Sequence, residues 1–531
     1  MRKIKNIIAS ALLATLTLCS AACQPQEPVD EKLAQAPDYS AYTHRFDPYA
    51  YSGPSDGYYR VDREPFYVGE DFRTQERYEE YKAAGFTVYM PQNSGVKIAA
   101  DFNESIWAQE KVYMDNAYNA GLKIILNDQR IQYYSKWEGS LFKENDEDTS
   151  YAFENEAALD AYIEKCIALY KDHPGFYGLM LGDEPRIYHV TSYGELYQAL
   201  KRVLPDKFIQ YNLLPISTDN LDDNGKDSSD SSGQGRDRFP ALTEDEMDPN
   251  WTKLDIAFAK YEKYLNMYLD AMPGVEYLQF DDYPIHDGTI DADYLRGLQI
   301  AAKICKERDL ELHVVAQTFG MYTSGPDSFL NWTKPSKANL HWQNNVLLGM
   351  GVKQIHYFTY WTKADQSTTG EYFIDGASFV TYGGEKTDLY YDMQEIMAQN
   401  QAFAPVIKQF DYQGSKTYVK LPVNFDKTHI LYADNSYSFK KLTSVEFEKE
   451  VGFVSELYDS ENDNYLYMIM NFVTGWNEGS RAYQTNVVTF SDEYTHVVVY
   501  KNGVGTPQKL EAGNKLTVEV APGEAVFVLP Y

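Results

Sequence analysis

Residues 174–186 read Pro174-Gly175-Phe176-Tyr177-Gly178-Leu179-Met180-Leu181-Gly182-Asp183-Glu184-Pro185-Arg186. An uncharged, mostly apolar run from Phe176 to Gly182 stops at two acids and a proline. A short apolar run bounded by turn residues fits a strand buried on both faces. The stretch before it has a helical pattern. In Glu156–Tyr170, Leu159, Tyr162, Cys166, Leu169 and Tyr170 share one face at a 3.6-residue period. A helix followed by a doubly buried strand is the repeating unit of a parallel sheet.

The unit recurs on both sides. Eight short runs are found: Phe66–Gly69, Phe86–Met90, Leu122–Asn127, Phe176–Gly182, Phe208–Asn212, Val275–Asp281, Leu312–Thr318 and Lys353–Trp361. Helical stretches separate most of them; in Ala292–Arg308, Leu295, Leu298, Ala302 and Cys305 share a face. Gly85, Gly121 and Gly351 each stand where a helix must turn left-handed before a strand. The pattern predicts a (β/α)8 TIM barrel over residues 62–410 rather than an open doubly wound sheet. No Gly-rich phosphate loop follows the first run, which weakens a dinucleotide-binding reading. Residues 217–250 break the rhythm with an Asp/Ser/Gly-rich run, read as a mobile loop over the barrel mouth. That run lacks the closing Glu of an EF-hand calcium loop.

From about Asp411 the helical signal ends. Alternating runs follow from Tyr418–Val423 to Ala525–Leu529, with turn signals at Asn502-Gly503 and Pro522-Gly523. Residues 411–531 are therefore predicted to form a C-terminal β-sandwich. At the other end, Arg2, Lys3 and Lys5 precede an apolar run from Ile7 to Leu18, too short to span a bilayer. Ser20, Ala21 and Ala22 then precede Cys23. Residues 1–22 resemble a bacterial lipoprotein signal, which implies lipidation at Cys23, membrane anchoring and a cell-surface or periplasmic location. Residues 23–61 are polar and aperiodic and read as a tether and N-terminal extension.

Composition narrows the partners. The formal charge of −30 repels phosphate backbones and acidic polymers, so nucleic acid is excluded and a neutral ligand favoured. The 46 tyrosines offer flat faces with polar tips, suited to sugar rings. Cys166 and Cys305 lie on apolar helix faces and read as core thiols. None of the nine histidines pair at metal-ligand spacing, although His313 and His356 are placed to line a barrel. No metal or cofactor is expected.

Barrel sites lie at the C-terminal strand ends. There the runs finish in Asp128 and Arg130 (third), Asp183 and Glu184 (fourth), Tyr211 and Asn212 (fifth), and Asp281, Asp282 and Tyr283 (sixth). Gln317 ends the seventh run, and Tyr360 and Trp361 end the eighth. Strand alternation points Glu184 inward with Met180 and Gly182, and Asp183 outward with Leu179 and Leu181. It points Asp281 inward with Gln279, and Asp282 outward; a bulge would invert either assignment. Glycoside cleavage needs a protonated and an ionised carboxyl. Glu184 and Asp281 are the candidate pair, with Asp282 as the substitute second carboxylate. Asp128, Arg130, Asp183, Tyr211, Asn212, Asp282, Tyr283, Gln317, Tyr360 and Trp361 are candidate substrate-binding residues.

The segment Gly178–Pro185 resembles the fourth-strand segment of retaining glycosidases that carry Asn-Glu-Pro or Asp-Glu-Pro there. That resemblance implies an acid/base role for Glu184. Trp342–Trp361 resembles the eighth helix-strand unit of β-galactosidase-like barrels, and the C-terminal region is similar to their sandwiches. Those enzymes carry a nucleophilic Glu at the end of strand seven, where this chain has Gln317. Either the second carboxylate lies on strand six, as in α-galactosidase-type barrels, or the chain is not a retaining hydrolase. The expected function is hydrolysis of a neutral glycan. The alternative is a surface glycan-binding lipoprotein on a degenerate barrel; a lyase or peptidase in the same cleft is a further one.

Overall fold

A parallel strand gains its hydrogen bonds from distant segments, so each pairing needs a crossover through a helix. The computed structural model describes residues 30–61, 64–67, 70–91, 96–144, 150–218, 238–286, 289–323, 330–363, 371–419, 433–448, 451–472 and 483–531. Residues 1–22 and Cys23 lie outside the described residues, as does 219–237 of the predicted loop. Two parallel sheets form. One contains Val88–Tyr89, Lys123–Leu126, Phe176–Asp183 and Phe208–Asn212 in that order. The other contains Tyr277–Asp281, Glu311–Gln317 and Val352–Phe358.

The sheets join at both edges. On one side Leu213 bridges Phe280, and its N–H donates to the Gln279 carbonyl at 3.0 Å. On the other, Ala50 bridges Tyr357, while Thr87 and Val88 donate to the Pro48 carbonyl. Residues 48–51 thus lie between Val88–Tyr89 of one sheet and Val352–Phe358 of the other. This corrects the predicted first run. Phe66 and Tyr67 belong to an antiparallel hairpin, Tyr58–Val61 with Glu64–Tyr67. The tether reading of 23–61 fails over its last part as well, because Phe46, Tyr49, Ala50 and Tyr51 are buried.

Helices start and stop as their ends dictate. Asn103, Asn155, Thr252 and Ser336 each accept a first-turn N–H, capping the helices Glu104–Asn119, Glu156–Ile167, Lys253–Ala271 and Lys337–Gly349. Gly85, Gly121 and Gly351 follow helix ends at φ of 117°, 81° and 77°, as their placement predicts. An L side chain would be strained in that region. The helices bury one face against the sheets. Cys166 and Cys305 are buried free thiols on those faces.

Beyond Phe410 two antiparallel sheets follow. One pairs Asp411–Val419, Val451–Asp459, Asn464–Asn471, Ala525–Pro530, His496–Lys501 and Val504–Lys509 in that order. The other pairs Leu442–Phe447, Gln484–Phe490 and Lys515–Val520. Val454, Tyr467, Ile469 and Val528 of the first share a buried cluster with Phe447, Val488 and Leu516 of the second. Asn502 and Gly503 both adopt positive φ at the predicted hairpin. Of the run Tyr418–Val423, residues 420–423 lie outside the described residues.

Candidate active site

The fourth run decides where the acids point. Its register against the next strand pairs Met180 with Gln210 and then Gly182 with Tyr211, so Leu181 is an extra residue. The bulge shifts the alternation by one. Met180 packs inside with Tyr49, Tyr51, Ile125 and Val315. Gly182 faces the helices instead: a Cβ there would sit 2.7 Å from the Tyr193 ring and 2.9 Å from Ser135 Oγ. Asp183 consequently turns inward, which corrects the parity argument. Its Oδ1 accepts from Asn212 Nδ2 at 3.2 Å, and its charge reaches Tyr49, Tyr51 and Asp281.

Glu184 is still directed to the same place, because the chain turns sharply. Its φ is 45°, and its N–H donates to the Asn212 carbonyl at 2.9 Å. A left-handed non-glycine residue costs on the order of 1–3 kcal/mol, held here by its surroundings. Two buried tyrosines of the Lys253–Ala271 helix clamp the turn: Tyr264 donates to the Pro185 carbonyl at 2.7 Å and Tyr268 to that of Arg186 at 2.8 Å. Glu184 is exposed, and its side chain hydrogen-bonds Asp281.

In the sixth run the alternation holds. Leu278 and Phe280 pack in the outer core, whereas Gln279 points inward and accepts from Tyr49 Oη at 3.0 Å. Asp281 follows it inward and is 4% exposed. Burial pushes the Asp281 carboxyl well above its usual range, and the Glu184 and Asp183 charges push it further; a hydrogen bond from Tyr283 acts the other way. Asp281 Oδ1 is buried with no hydrogen-bond partner among the described residues.

Beneath the three acids lies a polar floor that the sequence did not reveal. Gln210 Nε2 donates to Tyr49 Oη at 3.1 Å and Tyr51 Oη at 3.2 Å. Gln210 Oε1 and Gln279 Nε2 remain unpartnered among the described residues. His356 stacks on Tyr49 with centroids 3.8 Å apart, and His313 lies beside it, so both histidines are part of this interior. Beside the acids is an aromatic wall. Tyr283 packs edge-on against Phe319 at 5.0 Å and meets Phe358 at 5.6 Å, and Trp332 Nε1 donates to the Tyr283 carbonyl.

Glu184, Asp281, Asp183, Asn212 and Tyr283 are therefore brought together. The other candidates are not. Asp128 is buried and accepts from Arg130 Nε, Arg130 Nη2 and Tyr170 Oη, so the Asp128–Arg130 pair is a buried clasp behind the strand. Tyr211 stacks on Tyr277 toward the helices and donates to its carbonyl. Gln317 spends its amide on backbone: Oε1 accepts from Ile285 N–H, and Nε2 donates to the carbonyls of Ile285, Phe319 and Thr333. Tyr360 packs edge-on against Tyr81 and Phe86, and Trp361 lies against Phe72. Of the aromatic candidates, Tyr283 stands beside the acids with Phe358, and Tyr360 and Trp361 do not.

Asp282 faces outward among the helices, as parity requires, with Oδ2 buried and unpartnered among the described residues. Burial raises its pKa well above the usual range, with Asp293, Asp291 and Asp281 adding to the effect. The folded chain thus keeps a proton that the unfolded chain releases above about pH 4. Stability attributable to this group falls as pH rises from there toward the folded value. Asp282→Asn is expected to stabilise the protein by on the order of 1 kcal/mol near neutral pH and little near pH 4. Melting curves across pH check this. An unchanged pH slope in the variant would show that Asp282 is ionised in the fold.

Among the described residues no group of three His, Cys, Asp or Glu side chains is placed to hold a metal ion. No family model matches the chain, and no curated protein matches it. Among solved structures the chain is similar to glycoside hydrolases. A glucosidase from Croceicoccus marinus is 11% identical over 92% of this chain and 96% of that one, with a TM-score of 0.40. A glycoside hydrolase family 5 protein from Bacteroides vulgatus is 10% identical over 86% and 84%, with a TM-score of 0.45. A GH30 endoxylanase from Clostridium papyrosolvens is 11% identical over 92% and 97%, with a TM-score of 0.37. Similarity at this level leaves the activity to be argued from the site.

Proposed function

We propose that this chain is a glycoside hydrolase acting on a neutral glycan, built as a (β/α)8 barrel followed by a β-sandwich. One observation carries the reading. Asp183, Glu184 and Asp281 meet at the C-terminal ends of the parallel strands Phe176–Asp183 and Tyr277–Asp281, which flank Phe208–Asn212, above a floor of unsatisfied amide groups and beside an aromatic wall. Sugars require these three features together: a proton donor, acceptors and donors for hydroxyls, and a flat apolar face.

In this reading Glu184 and Asp281 form a dyad that shares one proton, which Asp281 holds above the usual carboxylate range. Asp281 hands that proton to the exposed member, Glu184, and becomes anionic. Glu184 delivers it to the glycosidic oxygen as the bond to the anomeric carbon breaks. Asp183 and Asp281 then face the positive charge that develops on the sugar ring. Water adds its hydroxyl to the anomeric carbon and returns its proton to the dyad, so the cycle closes. Carboxyl separations of about 5–5.5 Å accompany retention and about 6.5–9.5 Å inversion, and the hydrogen-bonded Glu184–Asp281 pair is assigned to neither class. The stereochemical course is therefore left to the anomer of the product, read by NMR.

A second reading keeps the barrel as a glycan-binding module. It is favoured by Gln317, whose fully engaged amide occupies the strand end where related barrels carry a nucleophile. A panel of neutral oligosaccharides separates the two. Released reducing ends that vanish in Glu184→Gln support the hydrolase; binding without any product supports the module.

We also propose export and lipidation at Cys23. The apolar run and small residues before it support this. Metabolic labelling with a fatty acid is expected to mark the wild type and not Cys23→Ala. Label retained in the variant would overturn it.

A further inference from the structure

A groove of about 910 Å³ opens beside the candidate site, and none of the three acids lines it. Its walls are Tyr133, Tyr134, Trp137 and Tyr162, with Gln129, Gln132, Lys136 and Glu138 among the polar groups. That volume lies near the top of the range of small-molecule pockets, about 300–1,000 Å³, and suits several linked rings better than one.

The lining comes from one short stretch. The helix Gln129–Gln132 and the turn Tyr133–Lys136 follow the third parallel strand at its C-terminal end. Of the large apolar side chains here, Tyr133 is exposed and Tyr134, Trp137 and Tyr162 are half-buried. Tyr133 is 65% exposed, the highest value of any large apolar residue among those described. It packs edge-on against Tyr134, which meets Tyr162 edge-on at 5.5 Å. The rings are therefore braced by one another while Tyr133 keeps a free face. Trp137 is part of the same wall, and its Nε1 is buried with no hydrogen-bond partner among the described residues. A rigid aromatic ledge with the flanking amides of Gln129 and Gln132 matches a chain of sugar rings: faces stack, and the amides accept from and donate to hydroxyls.

The ledge is anchored to the acids' own strand. Ser135 lies against Gly182, two residues before Glu184, at 2.9 Å from the position of a Cβ there. Ser192 Oγ, on the helix that follows the fourth strand, donates to the Trp137 carbonyl at 2.7 Å. The groove is thus tied, through the helix-facing side of Gly182, to the strand that ends in Asp183.

We infer that this groove is an outer subsite that binds a neutral oligosaccharide where it extends beyond the cleaved bond, so the preferred substrate is a polymer rather than a short glycoside. The inference rests on the glycosidase reading of the acids, and its test is independent of turnover. The probes are disaccharides and hexasaccharides of the cello, xylo, manno and malto series. Binding is measured by calorimetry with the full-length Glu184→Gln protein, alone and combined with Tyr133→Ala. Tyr133 is exposed, so its truncation leaves the core intact. For at least one series the hexasaccharide is expected to bind about tenfold tighter than the disaccharide, one stacked ring's worth. That advantage is expected to vanish with Tyr133→Ala while disaccharide affinity stays the same. Equal affinity for both lengths, no binding of either length, or a length advantage that survives Tyr133→Ala would overturn the subsite. Absence of product from the wild type, with the length advantage intact, would overturn the hydrolase and keep the groove.

Discussion

Glu184→Gln is expected to lower turnover of unactivated glycans by about 10²–10⁴-fold, the range set by losing a general acid. Aryl glycosides with good leaving groups should suffer far less, because their departing oxygen needs little protonation. The substitution is nearly isosteric on an exposed side chain, so the fold should be unaffected. It also removes one charge that holds Asp281 high. Asp281 should therefore titrate lower in the variant. Equal losses on both substrate classes would mean that Glu184 positions substrate and does not donate. No loss on either would end the assignment.

Asp128→Ala should damage stability, and not affinity. The Asp128 carboxylate is fully buried and takes two bonds from Arg130, whose side chain is 15% exposed, and one from Tyr170. Removing it strands a buried guanidinium. Breaking such a pair costs about 3–5 kcal/mol. Thermal or urea unfolding would show that loss, with KM for short glycosides, which do not reach the groove that Arg130 lines, unchanged at temperatures where the variant is folded. A variant of normal stability with a raised KM would return Asp128 to the substrate, as its place at a strand end suggests.

That contrast shows where the sequence is informative. The helix-strand rhythm, the three left-handed glycines and the antiparallel C-terminal region are local patterns, and they read directly. The inward turn of Asp281 follows from alternation, because its strand is regular. Asp183 breaks the same rule only because Leu181 is inserted, and a bulge leaves no mark in composition. Gln317 looks like a ligand for sugar hydroxyls until the chain at Ile285 folds back to take all its bonds. Tyr49 and Tyr51 are missed for another reason. Their segment is four residues long and has no helix before it, so it carries no period to detect. Its role is set by partners at Val88, Gln279 and Tyr357, all brought by distant chain.

Those distant partners also set the order in which the molecule can be finished. Tyr49 N–H donates to His356 Nδ1 across 307 residues of chain. While the ribosome is still working toward residue 357, residues 48–51, which flank Val88–Tyr89, have no strand to pair with on their outer side. The half-made product therefore carries open edges on its parallel sheets, and open edges recruit other chains. Contacts so far apart in sequence also make closure slow. Fragments ending before the Val352–Phe358 strand should consequently aggregate on expression, even though they contain every acid of the site.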